Sequence, residues 1–408
     1  QSPLAYTQQA FHPDPVDLPG GGPHLAYLEV WQREVTHLQR PDLVEKAVGV
    51  DTTTRTQTVW QVRLLQNIDS SITCSSPDAD LGAPWLDIIS PSTGRLTSRD
   101  VGVPADVDPC ELPPSGGYRG LENQLYRIEI HNGGIPGEAT FKWSRDNASV
   151  AASVVEVIST NKLKLSSLGR DSVLRFNTGD WVEISDDRRE LSGKSGDPDQ
   201  RFGEIRKVTV DDASQTITFN PALPAALIPT GSGDDTLENR HLRVTRWDQK
   251  GKVRDASNTL IIDLDAGGSK GLIPVPAAGT WVTLENGVQV QFSRDGNAGR
   301  FRCNDFWNVA ARTATASAEV LTAEPPQGIH RHYARLALVT FPGEEDDCRR
   351  HWPPETGGGC CTVVVNPGDD IQAAICLLYT SPSPRDMIPD LVCRRLGEKR
   401  GGGGGGGG

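Results

Sequence analysis

Hydrophobic and polar residues alternate with a period of two along much of the chain. Trp60, Val62 and Leu64 alternate with Val59, Gln61 and Arg63. Tyr126, Ile128 and Ile130 alternate with Arg127, Glu129 and His131, and Val288, Val290 and Phe292 with Gln289 and Gln291. This period sends successive side chains to opposite faces of a strand, so each run predicts one apolar face on a core and one polar face toward water. Gly, Asn, Asp and Pro punctuate the runs. Asn286-Gly287 and Asp295-Gly296 are pairs that favour tight turns with positive φ. Helix signals are few. Pro41–Val48 before Gly49 predicts one short helix, with Pro in its first turn and Gly past its end. Asp369–Ile375 predicts another, with carboxylates at its positive end.

These patterns predict a mainly β chain: a multi-part β-sandwich or barrel-like domain with a small β-barrel insert and few short helices. Residues 1–135 read as the first part of the β-rich domain, 136–245 as the all-β barrel-like insert, and 246–342 as the second part. In the insert, Gly179-Asp-Trp-Val-Glu-Ile184 has a physical logic. Gly and Asp make a turn, Trp181 covers an open end of the barrel, and Val182 and Ile184 enter its core. Gly279-Thr-Trp-Val-Thr-Leu284 is a loose echo of the same motif. Residues 343–359, charged and rich in Pro and Gly, read as a linker. Residues 360–375 then give a strand, a Pro-Gly turn and the start of a helix.

The charge balance narrows the function classes. Lys and Arg number 41 against 53 Asp and Glu, for a net charge of −12. Phosphate contacts need clustered Lys and Arg, so nucleic acid is not an expected partner. No apolar run approaches the ~20 residues of a transmembrane helix, and no membrane span is expected. Cys74 and Cys110 flank loop-like sequence and can form a disulfide, and Cys348 can pair with Cys360 or Cys361; the sequence alone does not fix the pairing of these and Cys303. No CxxC spacing suggests a zinc knuckle. An exported, oxidised setting and a reduced one with structural thiols both remain open.

Candidate chemistry is sparse. His330 and His332 lie two apart, so on a strand both rings share a face and can bind a metal if His351 or an acid supplies a third ligand. Packing before a strand is the plainer role. Lys142-Trp-Ser-Arg-Asp146 combines an indole, cations and a carboxylate. Trp143 with Arg145 and Asp146, and Trp181 further on, form a candidate saccharide platform; a buried Trp beside an ion pair that pins a turn is the alternative. Acidic pairs such as Asp186-Asp187 match no calcium-binding repeat. No nucleophile elbow or phosphate-binding Gly-rich loop occurs, so no cofactor is expected and a non-catalytic role is favoured.

Residues Cys376–Asp386 back-translate without a gap into a transposase-type sequencing adapter, and Gly401–Gly408 is the translation of a poly-G run. Residues 376–408 are therefore expected to form no packed core, and the chain reads as a fragment at both ends. Just before them, Cys361-Thr-Val-Val-Val-Asn-Pro-Gly-Asp-Asp-Ile-Gln-Ala-Ala-Ile375 resembles the start of right-handed parallel β-helix domains of the pectate-lyase kind. A larger resemblance spans most of residues 25–340. Tyr27–Thr36, Asp51–Arg63, Phe141–Asn147, Gly179–Glu183, Leu284–Val290 and Gly328–Ala337 resemble an uncharacterised bacterial domain family. That family is similar to phage-tail and baseplate proteins and often precedes β-helix modules. Arg302–Trp307 departs from its usual turn. The resemblance implies a non-catalytic attachment module, particle-associated or secreted, that presents a β-helix to a glycan or cell surface. It also implies other particle subunits as partners, and homotrimers. Two other readings stand beside it: an accessory region of a β-helix polysaccharide lyase or hydrolase, and a carbohydrate-binding module.

Overall fold

The computed structural model describes residues 5–101, 116–194, 197–297 and 299–349. The Cys110, Cys360, Cys361 and His351 expectations, the β-helix start and the adapter-like residues lie outside them. The described chain is mainly β. One antiparallel sheet has the order Glu344–Asp347, Arg331–Phe341, Gly21–Val35, Arg55–Leu65. A second sheet runs Leu260–Asp263, Lys252–Asp255, Trp281–Thr283, Val288–Arg294, Gly94–Asp100. A third runs Ile273–Pro274, Thr140–Ser144, Gln124–Asn132, Phe306–Arg312, Ser317–Ala318. Six strands between Ala151 and Trp247 close into a barrel.

The second and third sheets share one core. Tyr126, Ile128, Ile130, Phe141, Val288, Val290, Phe292 and Trp307 all point into it, as the period of two requires. Asn286 and Gly287 take φ values of 49° and 85°, and hand the chain directly into Val288–Arg294. The barrel has its own core, with Val182 and Ile184 inside. Trp181 does not cover an open end. It leaves the barrel wall for the sandwich core, where its ring lies over Gly271. A Cβ at Gly271 would collide with that ring, and its φ of +70° disfavours a side chain in any case.

Several expectations need correction. Strand Arg55–Leu65 buries Val59 and Gln61, not Trp60. The nominally polar face is the covered one, because Leu191 packs on Val59 and the Gln61 amide donates to the Leu191 carbonyl at 2.9 Å. The polar face of Gln124–Asn132 is likewise covered: Glu129 and His131 are buried rather than solvated. Residues 41–48 do not form a helix. A single turn Pro41–Leu43 leads into Val44–Glu45, which pairs with Val50–Asp51 across a turn containing Gly49 at φ 67°. β-branched Val44 and Val50 suit that hairpin better than a helix. The barrel begins after Thr140–Ser144, which pairs in the third sheet instead. The expected linker from 343 opens with a strand, Glu344–Asp347, paired with Arg331–Phe341. Finally, Cys74 pairs with Cys348, 274 residues away, and Cys303 is a free, buried thiol. The sheet brings Cys348, at the end of one edge strand, to the loop that follows the other edge strand; no local spacing signals that meeting.

Buried charge networks brace the barrel against the sheets. Lys142 on Thr140–Ser144 is fully buried and pairs with Glu129 at 3.1 Å and with Glu183 of the barrel. Glu183 also accepts from the Trp247 indole and the Gly203 amide. Burial alone would lower the Lys142 pKa, but the two carboxylates outweigh it and raise it. On the other side, Arg33 reaches Asp187 at 3.2 Å. Such pairs contribute little net stability when whole, yet are costly to break.

Candidate functional site

Helix Gly82–Ile89 lies beside the first sheet, with Trp85 packed edge-on against Tyr27 at 5.3 Å between ring centres. Three adjoining clefts run along this helix. The largest, about 470 Å³, is walled by Tyr27, Asp87, Ser92, Arg302, Asp305 and Tyr333, among others. A second of about 330 Å³ shares Tyr27, Asp87, Ile88 and Asp199 with it and adds Tyr6, His12 and Arg63. A third of about 280 Å³ shares Ile89, Arg331, His332 and Tyr333 and adds Asp78, Trp85 and Arg335.

Local structure holds the polar groups in place. Asp305 is only 3% exposed, and its Oδ2 accepts from the Ser92 hydroxyl at 2.5 Å and the Arg302 amide at 2.8 Å. Burial pushes its carboxyl up to about 7, against those hydrogen bonds. The Arg302 guanidinium is fixed by the Asp87 and Ser90 carbonyls and faces Asp87 and Asp199 at 3.3 and 3.6 Å. Arg331 turns inward to Glu29 at 3.1 Å, so its neighbours His330 and His332 face outward and are exposed. Burial also pushes the Tyr333 hydroxyl up to about 12. The His12 ring is 3% exposed, and burial with the nearby Arg63 lowers its pKa to about 4, so it is neutral at physiological pH.

The residues singled out from sequence fall in two places. His330 and His332 both border the largest cleft, but no group of three or more His, Cys, Asp or Glu side chains able to hold a metal occurs among the described residues. The expected metal pair therefore lacks its third ligand there. Trp143, Arg145, Asp146 and Trp181 lie away from the clefts, at the seam between sandwich and barrel. Trp143 is 4% and Trp181 6% exposed, so neither offers a ring face to a sugar. Arg145 pairs with Glu285 at 2.8 Å and Asp146 with Arg246 at 3.2 Å, which pins the turn after Thr140–Ser144. These are structural positions. Sequence reasoning missed Asp87, Ser92, Asp305 and Tyr333. The one hint was the unusual turn Arg302–Asp305, where Asn304 adopts φ 67°.

The model of a family of unknown function (DUF6519) matches residues 20–77 and 91–355. The chain belongs to this family. Residues 78–90, which include the helix that walls all three clefts, fall between the matched segments. No curated protein and no solved structure matches the chain.

Proposed function

We propose that this DUF6519 chain is a non-catalytic structural and attachment module of a phage-tail-like particle or a secreted adhesin. Its described body anchors the segment beyond Cys348, which carries the β-helix-like sequence toward a glycan or cell surface. The Cys74–Cys348 bridge carries this reading. The last described strand, Glu344–Asp347, is a short edge held by backbone pairing to Arg331–Phe341. Antiparallel pairing at an edge yields one bond at a time when pulled from its end. The bridge moves that load onto Cys74, in the loop after the opposite edge strand. Buried ion pairs between barrel and sheets add stiffness rather than chemistry. A persistent disulfide also suits a secreted or particle-borne protein. Other particle subunits and a homotrimer built through the β-helix are the partners this role entails.

Pulling the full chain by its two ends in a single-molecule force experiment tests the role. Under oxidising conditions the extension released on unfolding should be short, because the bridge closes 274 residues into a loop; reductant should release it. Equal extensions with and without reductant would remove the anchor. Release of new reducing ends or unsaturated termini from a polysaccharide panel would overturn the non-catalytic role.

A further inference from the structure

We propose that the three clefts along helix Gly82–Ile89 form one saccharide groove for a neutral oligosaccharide. The inference stands apart from the anchoring role. Shape comes first. The central cleft shares residues with a cleft on either side, at Asp87 and Asp199 toward one and at His332 and Tyr333 toward the other. A row of linked depressions suits an extended ligand better than a compact one.

The lining chemistry fits sugar hydroxyls. Compact organic ligands favour largely apolar pockets with few polar groups. Here an apolar wall from Ile88, Ile89, Pro325 and Pro326 is interspersed with many carboxylates, guanidiniums, imidazoles and phenols. Asp87 and Asp199 have side chains 50% and 40% exposed, beside the fixed Arg302 guanidinium. A carboxylate next to a guanidinium offers acceptors and donors together, the pairing that a vicinal diol needs. Tyr333 adds an aromatic face for the C–H side of a pyranose ring.

Charge excludes the acidic alternatives. Arg302 faces Asp87 and Asp199, Arg331 faces Glu29, and Arg95 faces Asp295. These guanidiniums meet carboxylates, in a chain of net charge −12. Such a groove gives no field to attract uronates or phosphates. The polar groups are already held by protein partners, so binding orders few side chains. The helix wall lies outside the family match, so sugar preference should differ between this chain and relatives that lack it.

A glycan array of neutral and acidic oligosaccharides, probed with the full oxidised chain, tests the groove. Saturable binding to neutral glycans is expected, with longer oligomers bound more tightly than disaccharides. Asp199→Ala and Tyr333→Ala/Asp87→Ala variants should lose tenfold or more in affinity, while Trp60→Ala, outside the clefts, should bind as wild type. Circular dichroism and the force trace of each variant confirm that the body is intact. No binding to any neutral glycan, binding to acidic glycans alone, or full affinity in both cleft variants would overturn the proposal. None of these outcomes alters the force measurement, so the two readings fail separately.

Discussion

Arg201 binds Glu29 through two parallel hydrogen bonds of 2.8 and 3.0 Å, with side chains 1% and 2% exposed. Arg201 belongs to the barrel segment and Glu29 to strand Gly21–Val35, so the pair fastens the barrel to the first sheet. Both Arg201 and Arg331 also stack near Trp31, at 4.4 and 4.7 Å from its ring. Glu29→Met leaves two buried guanidiniums without their shared carboxylate. Breaking a buried pair in this way costs about 3–5 kcal/mol. The denaturant midpoint should fall accordingly, and adding Arg201→Met should restore part of the loss. A single-variant loss below about 1 kcal/mol would mean the pair is not the fastening.

The same carboxylate makes the fold acid-sensitive. Burial alone would raise the Glu29 pKa, but Arg201, Arg331 and Arg63 outweigh it and hold the group at about 2 instead of 4.5. A depressed folded pKa gives stability that is complete above about 4.5 and is lost as pH falls toward 2. The shift corresponds to about 3 kcal/mol. Unfolding free energy measured from pH 6 to pH 2 should drop more steeply in wild type than in Glu29→Met. Parallel curves would assign the acid response to other groups.

How much of this was legible depends on what covers each face. Tyr126, Ile128 and Ile130 face a core made by neighbouring strands, and alternation alone places them. Strand Arg55–Leu65 has the same alternation, yet its polar face is buried, because Arg201 and Leu191 arrive from 130 or more residues away to satisfy Gln61. Period reports which residues share a face; it does not report what arrives to cover that face. The cleft was hidden for the same reason. Ser92 and Asp305 are 213 positions apart and meet only through the sheet topology. Trp143 and Trp181 looked like ligand platforms because a Trp beside charges reads alike whether buried or exposed.

The Cys74–Cys348 bridge closes a segment of 274 residues, which restricts the unfolded state strongly, so removing it should cost about 5 kcal/mol. Cys348→Ser, or added reductant, should lower the calorimetric midpoint by several degrees, with no further effect of reductant on the variant. A midpoint unchanged by reductant would show that the bridge does not hold the edge strand.

Asp305 should oppose the trend set by Glu29. Burial raises its carboxyl from 3.8 to about 7, so the folded state holds a proton that the unfolded state has released. Stability from this group is complete below 3.8, declines as pH rises toward 7, and is level above that. Asp305→Asn keeps an oxygen to accept from Ser92 and the Arg302 amide, and carries no charge to bury. The variant should therefore be more stable than wild type at pH 8, by as much as about 4 kcal/mol, and equal to it near pH 3. Infrared spectroscopy reads the group directly. Wild type should show a protonated carboxyl stretch that disappears near pH 7, and Asp305→Asn should lack it at every pH. A wild-type band that vanishes with the ordinary carboxylates near pH 4 would mean that water reaches Asp305 and that the floor of the central cleft is open.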